Sequence, residues 1–445
     1  MILSDNSKTV STVDNIEEYL SLQSIADRNI SELSGENGNN ALLIYPHSFR
    51  ECEDEAGKQH IFSLQTNWQE NRCTEAILKT GNIVGFIGIN GQSVSIHSRF
   101  APNAEEDFLL HYMLHKVLGI NVVNLSHGIS NESIFDLLLC IFPKFLNEAL
   151  TQGIYKEYQR NEYNDTNVHG IIDINRHLKT NIPFNGRIAY RTRDFCHDNH
   201  VTELIRHTIE CIYNTKFGNT LLNSDATTRA NVAQIIFATP HYRRQERRKV
   251  LEDNKKIICH PYYSNYAALQ KLCLQILRHE EIKYGEKNNK IYGILFDVSY
   301  LWEEYLATIL TILGFKHPNN RNKTGRIYLT DTPEFPRYPD FHREQDHMIA
   351  DAKYKKEIDS RNDVNQIITY MYRLKGLRGI FIQPDNESLQ DKTYNLLGYG
   401  VEHNAKIQEY FFQIPQNAHD YKHFVDDMIL SETRLKSYFQ MGSCK

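Results

Sequence analysis

Hydrophobic and polar positions alternate most regularly between residues 83 and 98. Ile83–Ile89 is apolar and rich in β-branched residues, and Val94 and Ile96 alternate with serines and a histidine in the following stretch. Asn90 and Gly91 stand between the two runs, and both residues tolerate the positive φ angles of a tight hairpin turn. The pattern therefore predicts a two-stranded β-hairpin.

Residues 105–290 have a helical rather than an alternating period. Apolar side chains recur three and four positions apart in two runs: Leu109, Leu110, Met113, Leu114 and Val117, then Phe135, Leu138, Leu139, Phe142 and Phe145. A polar break follows at residues 285–290. We therefore expect a mainly helical region over residues 105–290 and a domain boundary at its end.

The C-terminal part mixes both periods. Residues 298–313 carry a helical apolar stripe of Trp302, Leu306, Ile309 and Leu313. Residues 348–353 indicate a strand, 363–372 a helix, and 379–383 a short strand ended by proline. This order predicts an α/β domain with a central mixed sheet over residues 291–445.

Charge and composition narrow the class of protein. The 445 residues carry a net charge of −5, which excludes a globally basic protein that holds nucleic acid by bulk charge. The first 60 residues hold 4 Lys+Arg and 11 Asp+Glu, so the acidic balance lies there. Within them we expect an extension over residues 1–40, either flexible or a small helical lead-in, and a β-rich region over 41–104.

Several other functions lack their signatures. No G-x-x-x-x-G-K-[ST] string occurs, so we expect no nucleotide hydrolysis by this chain. The longest apolar run, residues 137–142, is far shorter than the ~18 residues of a membrane span. The start of the chain lacks the basic and apolar regions of a secretory signal, and the eight cysteines contain no C-x-x-C pair. A cytoplasmic, reduced location is the expectation, with no membrane partner.

The strongest candidate chemistry lies at Asp340, Asp351 and Lys353. Period two places Asp351 and Lys353 on one face of the predicted strand. Two carboxylates that converge from adjacent strands make an all-oxygen site suited to Mg²⁺. A neighbouring lysine can orient an attacking water or offset charge on a phosphoryl transition state. Phosphodiester hydrolysis requires this combination.

Two helices add candidate residues. Glu303 borders the buried stripe of its helix, about 100° from Trp302, whereas Glu304 is expected on the opposite side. Gln366 and Tyr370 are i, i+4 neighbours on one face of the second helix. A further possibility is a metal site among clustered polar residues upstream, at His197, Asp198, His200, Glu203 and His207.

These motifs are similar to those of a known family. Four segments, residues 295–305, 338–341, 351–355 and 366–370, resemble the PD-(D/E)xK restriction-endonuclease-like domain of McrC, the nuclease subunit of the McrBC modification-dependent (5-methylcytosine) restriction system. Residues 85–100, 153–158 and 168–173 resemble McrC N-terminal regions more loosely. The resemblance covers roughly residues 75–415.

The resemblance implies specific roles. Asp340 and Asp351 would be Mg²⁺ ligands, with Glu303 as a third, helix-borne carboxylate, Lys353 would be the catalytic lysine, and Gln366 with Tyr370 would form the motif helix. The adjacent Glu304 leaves the helix carboxylate open between two positions. The implied partners are a McrB-like AAA+ GTPase ring, bound through the N-terminal part, and double-stranded DNA; a homodimer through the nuclease domain is a further expectation.

Two other functions remain open from the sequence. The chain could cap and activate an AAA+ ring without cleaving DNA, or it could be a stand-alone defence or repair nuclease. The leading hypothesis is an endonuclease subunit that cleaves modified DNA and stimulates its GTPase partner.

Overall fold

The computed structural model describes most of the chain. The described residues are 2–11, 23, 25–29, 32–33, 41–45, 60–69, 72–89, 92–101, 107–118, 132–215, 218–283, 292–318, 320, 323–398 and 404–441. They form two compact units, one made of Met1–Cys140 and Gly285–Lys445 and the other of Ile141–Tyr284.

The first unit contains a five-stranded mixed sheet, here called the N-terminal sheet. Its strands follow the order Ile2–Ser4, Gln92–His97, Ile83–Ile89, Tyr292–Asp297 and Ala41–Tyr45. The predicted hairpin is confirmed, because Ile83–Ile89 pairs antiparallel with Gln92–His97. Its Asn90-Gly91 turn lies outside the described residues.

Two glycines allow the central strands of this sheet to approach closely. Gly85 has a φ of +129°, and a Cβ there would stand 2.2 Å from the carbonyl oxygen of Ile294. A Cβ on Gly293 would stand 2.1 Å from the carbonyl oxygen of Phe86. Any side chain at either position would therefore push the neighbouring backbone away.

The start of the chain belongs to this packed structure. Besides the strand Ile2–Ser4, residues Lys8–Ser11 pair with Arg72–Thr80, which also pairs with Phe62–Gln69. Leu3 is buried in the same apolar cluster as Leu42. Residues 2–4 and 8–11 are thus strands rather than a flexible or helical extension, and their alternation is too short to be detected in the sequence. The remainder of residues 1–40 lies largely outside the described part.

A second five-stranded mixed sheet, here called the C-terminal sheet, forms the other half of this unit. Its order is Phe341–Arg343, Met348–Ala352, Arg378–Asp385, Lys406–Gln413 and Lys392–Asn395. The three central strands are parallel and both edge strands are antiparallel to their neighbours. The predicted α/β class with a mixed sheet is confirmed.

Three helices pack on or near this sheet: Val298–Leu310, Asn362–Leu374 and Tyr421–Met441. The first continues as a 3₁₀ turn at Thr311–Leu313, so the predicted stripe is buried at Trp302, Leu306 and Ile309 but only half-buried at its last residue. Trp302 donates an indole hydrogen bond to the carbonyl of Ile382 at 3.2 Å, which fixes this helix on the sheet. A short ribbon, Ile327–Tyr328 with Pro336–Arg337, and the helix Phe108–Leu118 complete the unit.

The second unit combines helices with a small sheet. Glu157–Asp165 and Ile171–Ile172 both pair with Ile188–Cys196. The sequence predicted a mainly helical region here, and it did not reveal Glu157–Asp165, because the side chains of this strand are all exposed or half-buried and form no alternating apolar face. The helices are Ile174–Thr180, His200–Tyr213, Gly218–Leu222, Ala226–Ala238, Arg247–Asp253 and Asn265–Lys283, with a 3₁₀ turn at Arg244–Glu246; Glu132–Leu150 crosses the division between the units.

The compact units divide the chain differently from the four predicted segments, 1–40, 41–104, 105–290 and 291–445. The strand Tyr292–Asp297 pairs with both Ala41–Tyr45 and Ile83–Ile89, so the N- and C-terminal parts share one sheet. Pairing over such a sequence distance leaves no local signal. Across the described residues, no helix combines the length and the apolar character needed to cross a membrane.

Candidate active site

Asp340 and Asp351 lie side by side at one end of the C-terminal sheet. Asp351 belongs to Met348–Ala352, and Asp340 directly precedes the antiparallel edge strand, in which Phe341 pairs with Ala350. The Oδ2 of Asp340 accepts a hydrogen bond from the backbone N–H of Ala352 at 3.0 Å. The turn between the two strands therefore brings both carboxyl groups to the same place.

Lys353 completes this cluster. Its Nζ lies 2.7 Å from Asp351 Oδ2, and its backbone N–H donates to the carbonyl of Ile382 at 3.0 Å. Burial lowers the pKa of Lys353, but the charges of Asp351 and Asp340 outweigh it and leave the pKa raised. The side chain is consequently an ammonium held against a carboxylate.

Gln366 and Tyr370 orient that ammonium through a chain of hydrogen bonds. Lys353 Nζ donates to Gln366 Oε1 at 3.0 Å, and Gln366 Nε2 donates to the Tyr370 hydroxyl at 2.7 Å. That hydroxyl donates to the carbonyl of Tyr338 at 3.0 Å. The i, i+4 spacing on the helix Asn362–Leu374 thus sets the direction of the amide that receives the lysine.

Glu303 and Glu304 both face His317. Glu303 Oε1 lies 3.9 Å from the imidazole Nδ1, and Glu304 Oε1 lies 3.6 Å from Nε2. The expectation that Glu304 points to the opposite side is therefore wrong. Consecutive helix positions differ by about 100°, and one nitrogen of the His317 ring lies near each of the two glutamates. The same His317 Nδ1 lies 3.0 Å from the carbonyl oxygen of Asp340, which links the helix to the carboxylate pair.

The electrostatics of the cluster are dominated by burial and like charge. Burial and then the neighbouring Asp351 raise the pKa of Asp340, and burial followed by Asp340 raises that of Glu303. Asp351 is 1% exposed, and its Oδ1 has no hydrogen-bond partner among the described residues. The buried carboxyl groups of Asp340, Asp351 and Glu303 thus repel one another, and the ammonium of Lys353 offsets this charge at Asp351 and Asp340.

The carboxyl groups of the cluster form only part of a metal-binding site. Within the described ranges, no group of three or more His, Cys, Asp or Glu side chains is arranged to hold a metal ion. Asp340 and Asp351 are the residues that could contribute oxygen ligands together, and Mg²⁺ commonly uses only one or two protein carboxylates with water and phosphate.

Sequence reasoning missed Asp363 as a member of the cluster. This residue is 6% exposed, lies 3.6 Å from Lys353 Nζ, and also forms an ion pair with Lys355. The signal was present, since Lys353 and Lys355 share a face of the chain and Asp363 stands in the first turn of the next helix. His317 had no comparable signal, because only folding brings it to the glutamates.

The alternative metal site in the second unit does not form. His200 pairs with Glu157 at 2.8 Å and Asp198 with His241 at 2.7 Å, while His207 packs its ring against Tyr242. His200, Asp198 and His207 thus have separate partners, and no group of three or more ligating side chains forms among the described residues. A helix begins at His200, and its successive side chains point in different directions. Residues that are close in this part of the sequence therefore do not meet at one point.

His207 is expected to make the second unit sensitive to acid. Burial, followed by the charges of Arg247 and Arg206, lowers its pKa to about 4. An unfolded histidine gains a proton below pH ~6.5, so the folded state loses stability as the pH falls from there towards 4. The variant His207→Phe keeps an aromatic ring but cannot be protonated. When the pH falls from 7 to 4.5, we expect its free energy of unfolding to decrease by about 2 kcal/mol less than that of the parent chain.

Urea unfolding followed by circular dichroism at both pH values measures this difference. His241→Phe is the control, because the side chain of His241 is 84% exposed. Equal acid losses for His207→Phe and the parent chain would contradict the assigned titration.

The fold and the site together define a class: an α/β protein with clustered carboxylates and a lysine at the end of a mixed sheet. A family model described as McrBC 5-methylcytosine restriction system component matches residues 78–383, more than half of the chain. The chain belongs to this family, and the resemblance to McrC is confirmed.

Two solved structures are similar to the chain. One is a half-complex from a tetradecameric assembly of Thermococcus gammatolerans McrB AAA+ hexamers with bound McrC: 14% identity, TM-score 0.47, 97% of this chain and 99% of that chain covered. The other is the Thermococcus gammatolerans McrBC complex, with 12% identity, a TM-score of 0.35, and 70% and 87% covered. No curated protein matches the sequence.

Proposed function

We propose that this chain is the endonuclease subunit of a McrBC-like restriction system. It would cleave double-stranded, methylcytosine-containing DNA with Mg²⁺ while docked on a McrB-like AAA+ GTPase ring that it stimulates. The observation that carries the proposal is the convergence of Asp340, Asp351 and Lys353, with Glu303 beside them, at one end of the C-terminal sheet. This sheet and its helices would then be a PD-(D/E)xK nuclease domain.

The donor set fits Mg²⁺. Asp340 and Asp351 would hold the ion through hard carboxylate oxygens, because Asp351 Oδ1 is buried without a partner among the described residues, and the nearby Glu303 is proposed as the third, supporting carboxylate. A cation there would also favour the ionised forms of carboxyl groups that burial now disfavours. When bound, Mg²⁺ supplies Lewis-acid stabilisation of charge on the phosphate oxygens.

The protein's own residues act on the phosphodiester through Lys353. Its ammonium can donate to a phosphate oxygen, or to the attacking water, and its charge offsets the negative charge that develops during attack. Gln366 and Tyr370 are positioning residues, because their hydrogen bonds fix the ammonium instead of touching the substrate. Asp363 holds the same lysine from the other direction.

The partner proposal follows from family membership and from what the sequence lacks. The chain has no Walker loop, so GTP hydrolysis would belong to the ring. The region 41–104 is proposed to contribute the docking surface, and a double-strand cut would require two nuclease domains, which favours a homodimer.

A second candidate function is a cap that activates the GTPase ring without cleaving DNA. One observation favours it: among the described residues, no three metal-ligating side chains are preassembled. The carboxylates and the lysine are nevertheless all present, which a cap that never cleaves would not require.

Reconstitution with a McrB-like AAA+ GTPase tests the proposal. We expect GTP-dependent cleavage of methylated but not unmethylated plasmid in Mg²⁺, and loss of cleavage with EDTA while the two proteins stay associated. GTP hydrolysis without nicking would establish the cap instead. Cleavage by the chain alone would establish a stand-alone nuclease.

A further inference from the structure

His317 connects the two parts of the chain that carry the candidate metal carboxylates. Its Nδ1 lies 3.0 Å from the carbonyl oxygen of Asp340 and 3.9 Å from Glu303 Oε1, while its Nε2 lies 3.6 Å from Glu304 Oε1. Asp340 directly precedes an edge strand of the C-terminal sheet, whereas both glutamates belong to the helix Val298–Leu310. The mechanism proposed for DNA cleavage gives this histidine no role.

The imidazole is held in one orientation. Its ring stacks on the buried ring of Phe341, with 4.7 Å between the ring centroids and an interplanar angle of 23°. The residue before it is fixed as well, because the backbone of Lys316 exchanges hydrogen bonds with that of His342 at 2.8 and 3.1 Å. The side chain of His317 is 14% exposed. Its two nitrogens therefore have fixed neighbours.

The hydrogen bond at Nδ1 determines which nitrogen carries a proton. A carbonyl oxygen can only accept, so Nδ1 must donate to Asp340. Such a bond to a backbone carbonyl sets both the tautomer and the direction of a histidine ring. Nε2 then faces Glu304 from the other side of the ring. The two glutamates thus lie on different sides of the imidazole, with Glu303 on the side of Asp340.

The charges that act on Glu303 agree with this arrangement. After burial, the neighbouring Asp340 raises the pKa of Glu303 most, followed by Glu304 and then Asp351. Because the interaction between charges weakens with distance, Glu303 is close to the aspartate pair. Of the two glutamates, it is the one placed to share a cation with the aspartates.

We propose that His317 is a positioning residue for a divalent cation: it ties the backbone of Asp340 to the glutamate helix and leaves Glu303, rather than Glu304, to reach the ion. This role rests on the proposed function, which places Mg²⁺ at Asp340 and Asp351. Residues behind the ligands of a metal fix the ligands in place, and their loss commonly weakens metal binding about 10- to 100-fold. A histidine that only packs on its neighbours would have no such effect.

Two substitutions separate positioning from packing. His317→Phe keeps a ring that can stack on Phe341 but removes both nitrogens. His317→Asn places an amide N–H close to the position of Nδ1, so it can still donate to the carbonyl of Asp340. His419→Phe is the matched control, because His419 is exposed and its ring contacts His423.

Mn²⁺ is the probe, because it is paramagnetic and can replace Mg²⁺. The full-length chain is titrated with Mn²⁺, and binding is followed by loss of the electron paramagnetic resonance signal of the free ion. The relevant site is the one that Asp351→Asn removes. We expect His317→Phe to weaken this site about 10- to 100-fold, and His317→Asn and His419→Phe to stay within about threefold of the parent chain.

A pair of glutamine variants tests which glutamate reaches the ion. Glu303→Gln should weaken the Mn²⁺ site at least about tenfold more than Glu304→Gln does, because only the first removes a ligand. Should His317→Phe fail to fold, this pair still decides, since equal effects of the two changes would overturn the proposal.

Normal Mn²⁺ binding by His317→Phe, or weak binding by His317→Asn, would also overturn it. So would nitrogen couplings in the electron spin-echo spectrum of the bound Mn²⁺ that disappear in His317→Phe, since they would make His317 a direct ligand.

These outcomes separate the role of His317 from the proposed function. Mn²⁺ affinity that depends on His317, in a complex that never cleaves DNA, would support the positioning role and refute the nuclease. Cleavage that requires Mg²⁺, with a metal affinity independent of His317, would do the reverse. A parent chain without a Mn²⁺ site at Asp351 would refute both.

Discussion

Lys353→Ala is expected to lower the rate of DNA cleavage about 10²- to 10³-fold in the reconstituted complex. The ammonium is fixed by Asp351 at 2.7 Å and by Gln366 at 3.0 Å, so alanine leaves no other cation at this position. Loss of one preorganised charge at a developing oxyanion costs about 3–4 kcal/mol in activation free energy, which corresponds to this factor. Single-turnover cleavage of methylated plasmid measures it.

The same variant should stimulate GTP hydrolysis as the parent chain does, because Lys353 lies in the C-terminal sheet region and not in the proposed docking region. Lys422→Ala, at an exposed lysine of the helix Tyr421–Met441, is the matched control and should cleave normally. Asp351→Asn, which keeps the side-chain shape, should abolish cleavage in the same way. Normal cutting by either site variant would refute the assignment.

The strands and helices around the site could be predicted because their patterns are local. The Met348–Ala352 strand and the Gln366–Tyr370 helix face each follow from a few consecutive residues. The position of Glu303 relative to Glu304 could not be derived, since it depends on His317, whose placement is set by the packing of its ring on Phe341. Local periodicity therefore predicted the elements but not their side-chain partners.

The pairing of strands that are far apart in the sequence could not be predicted either. The strand Tyr292–Asp297 was expected to begin a separate domain, yet it lies between strands from the first 90 residues. Gly85 and Gly293 are the residues that allow this approach, but a glycine in a strand could equally mark a bulge. The N-terminal sheet and the C-terminal sheet consequently belong to one unit.

The second large effect is expected at Arg99, which lies where the first residues of the chain meet residues 353–354. Its Nη1 lies 3.4 Å from Asp5 Oδ2, and its guanidinium packs against the rings of Phe100 and Tyr354 at 4.7 and 4.5 Å. Asp5 is fully buried, and the Arg99 side chain is 9% exposed. Tyr354 directly follows Lys353, so Arg99 contacts the residue next to the proposed catalytic lysine.

Arg99→Leu should destabilise the first unit by about 3–5 kcal/mol at pH 7, because it leaves the Asp5 carboxylate buried without its counter-charge. Burial already raises the pKa of Asp5, and Arg99 opposes that rise. A folded pKa above the unfolded one means that the deficit grows as the pH rises above ~4 and shrinks in acid. Urea unfolding followed by tryptophan fluorescence measures it, since both tryptophans, Trp68 and Trp302, lie in this unit.

The double variant Asp5→Asn with Arg99→Leu separates the ion pair from simple loss of packing. If the buried charge of Asp5 causes the loss of stability in Arg99→Leu, adding Asp5→Asn should recover most of that loss. Replacing both members of a buried ion pair is far less costly than removing one. Lys316→Met, which breaks the exposed pair with Glu344, is the control and should change stability little. A deficit that persists in the double variant, or that is the same at pH 5 and pH 8, would mean that Arg99 acts through its ring contacts alone. The start of the chain would then hold residues 353–354 by packing, and removing the charge of Asp5 would leave both stability and cleavage unchanged.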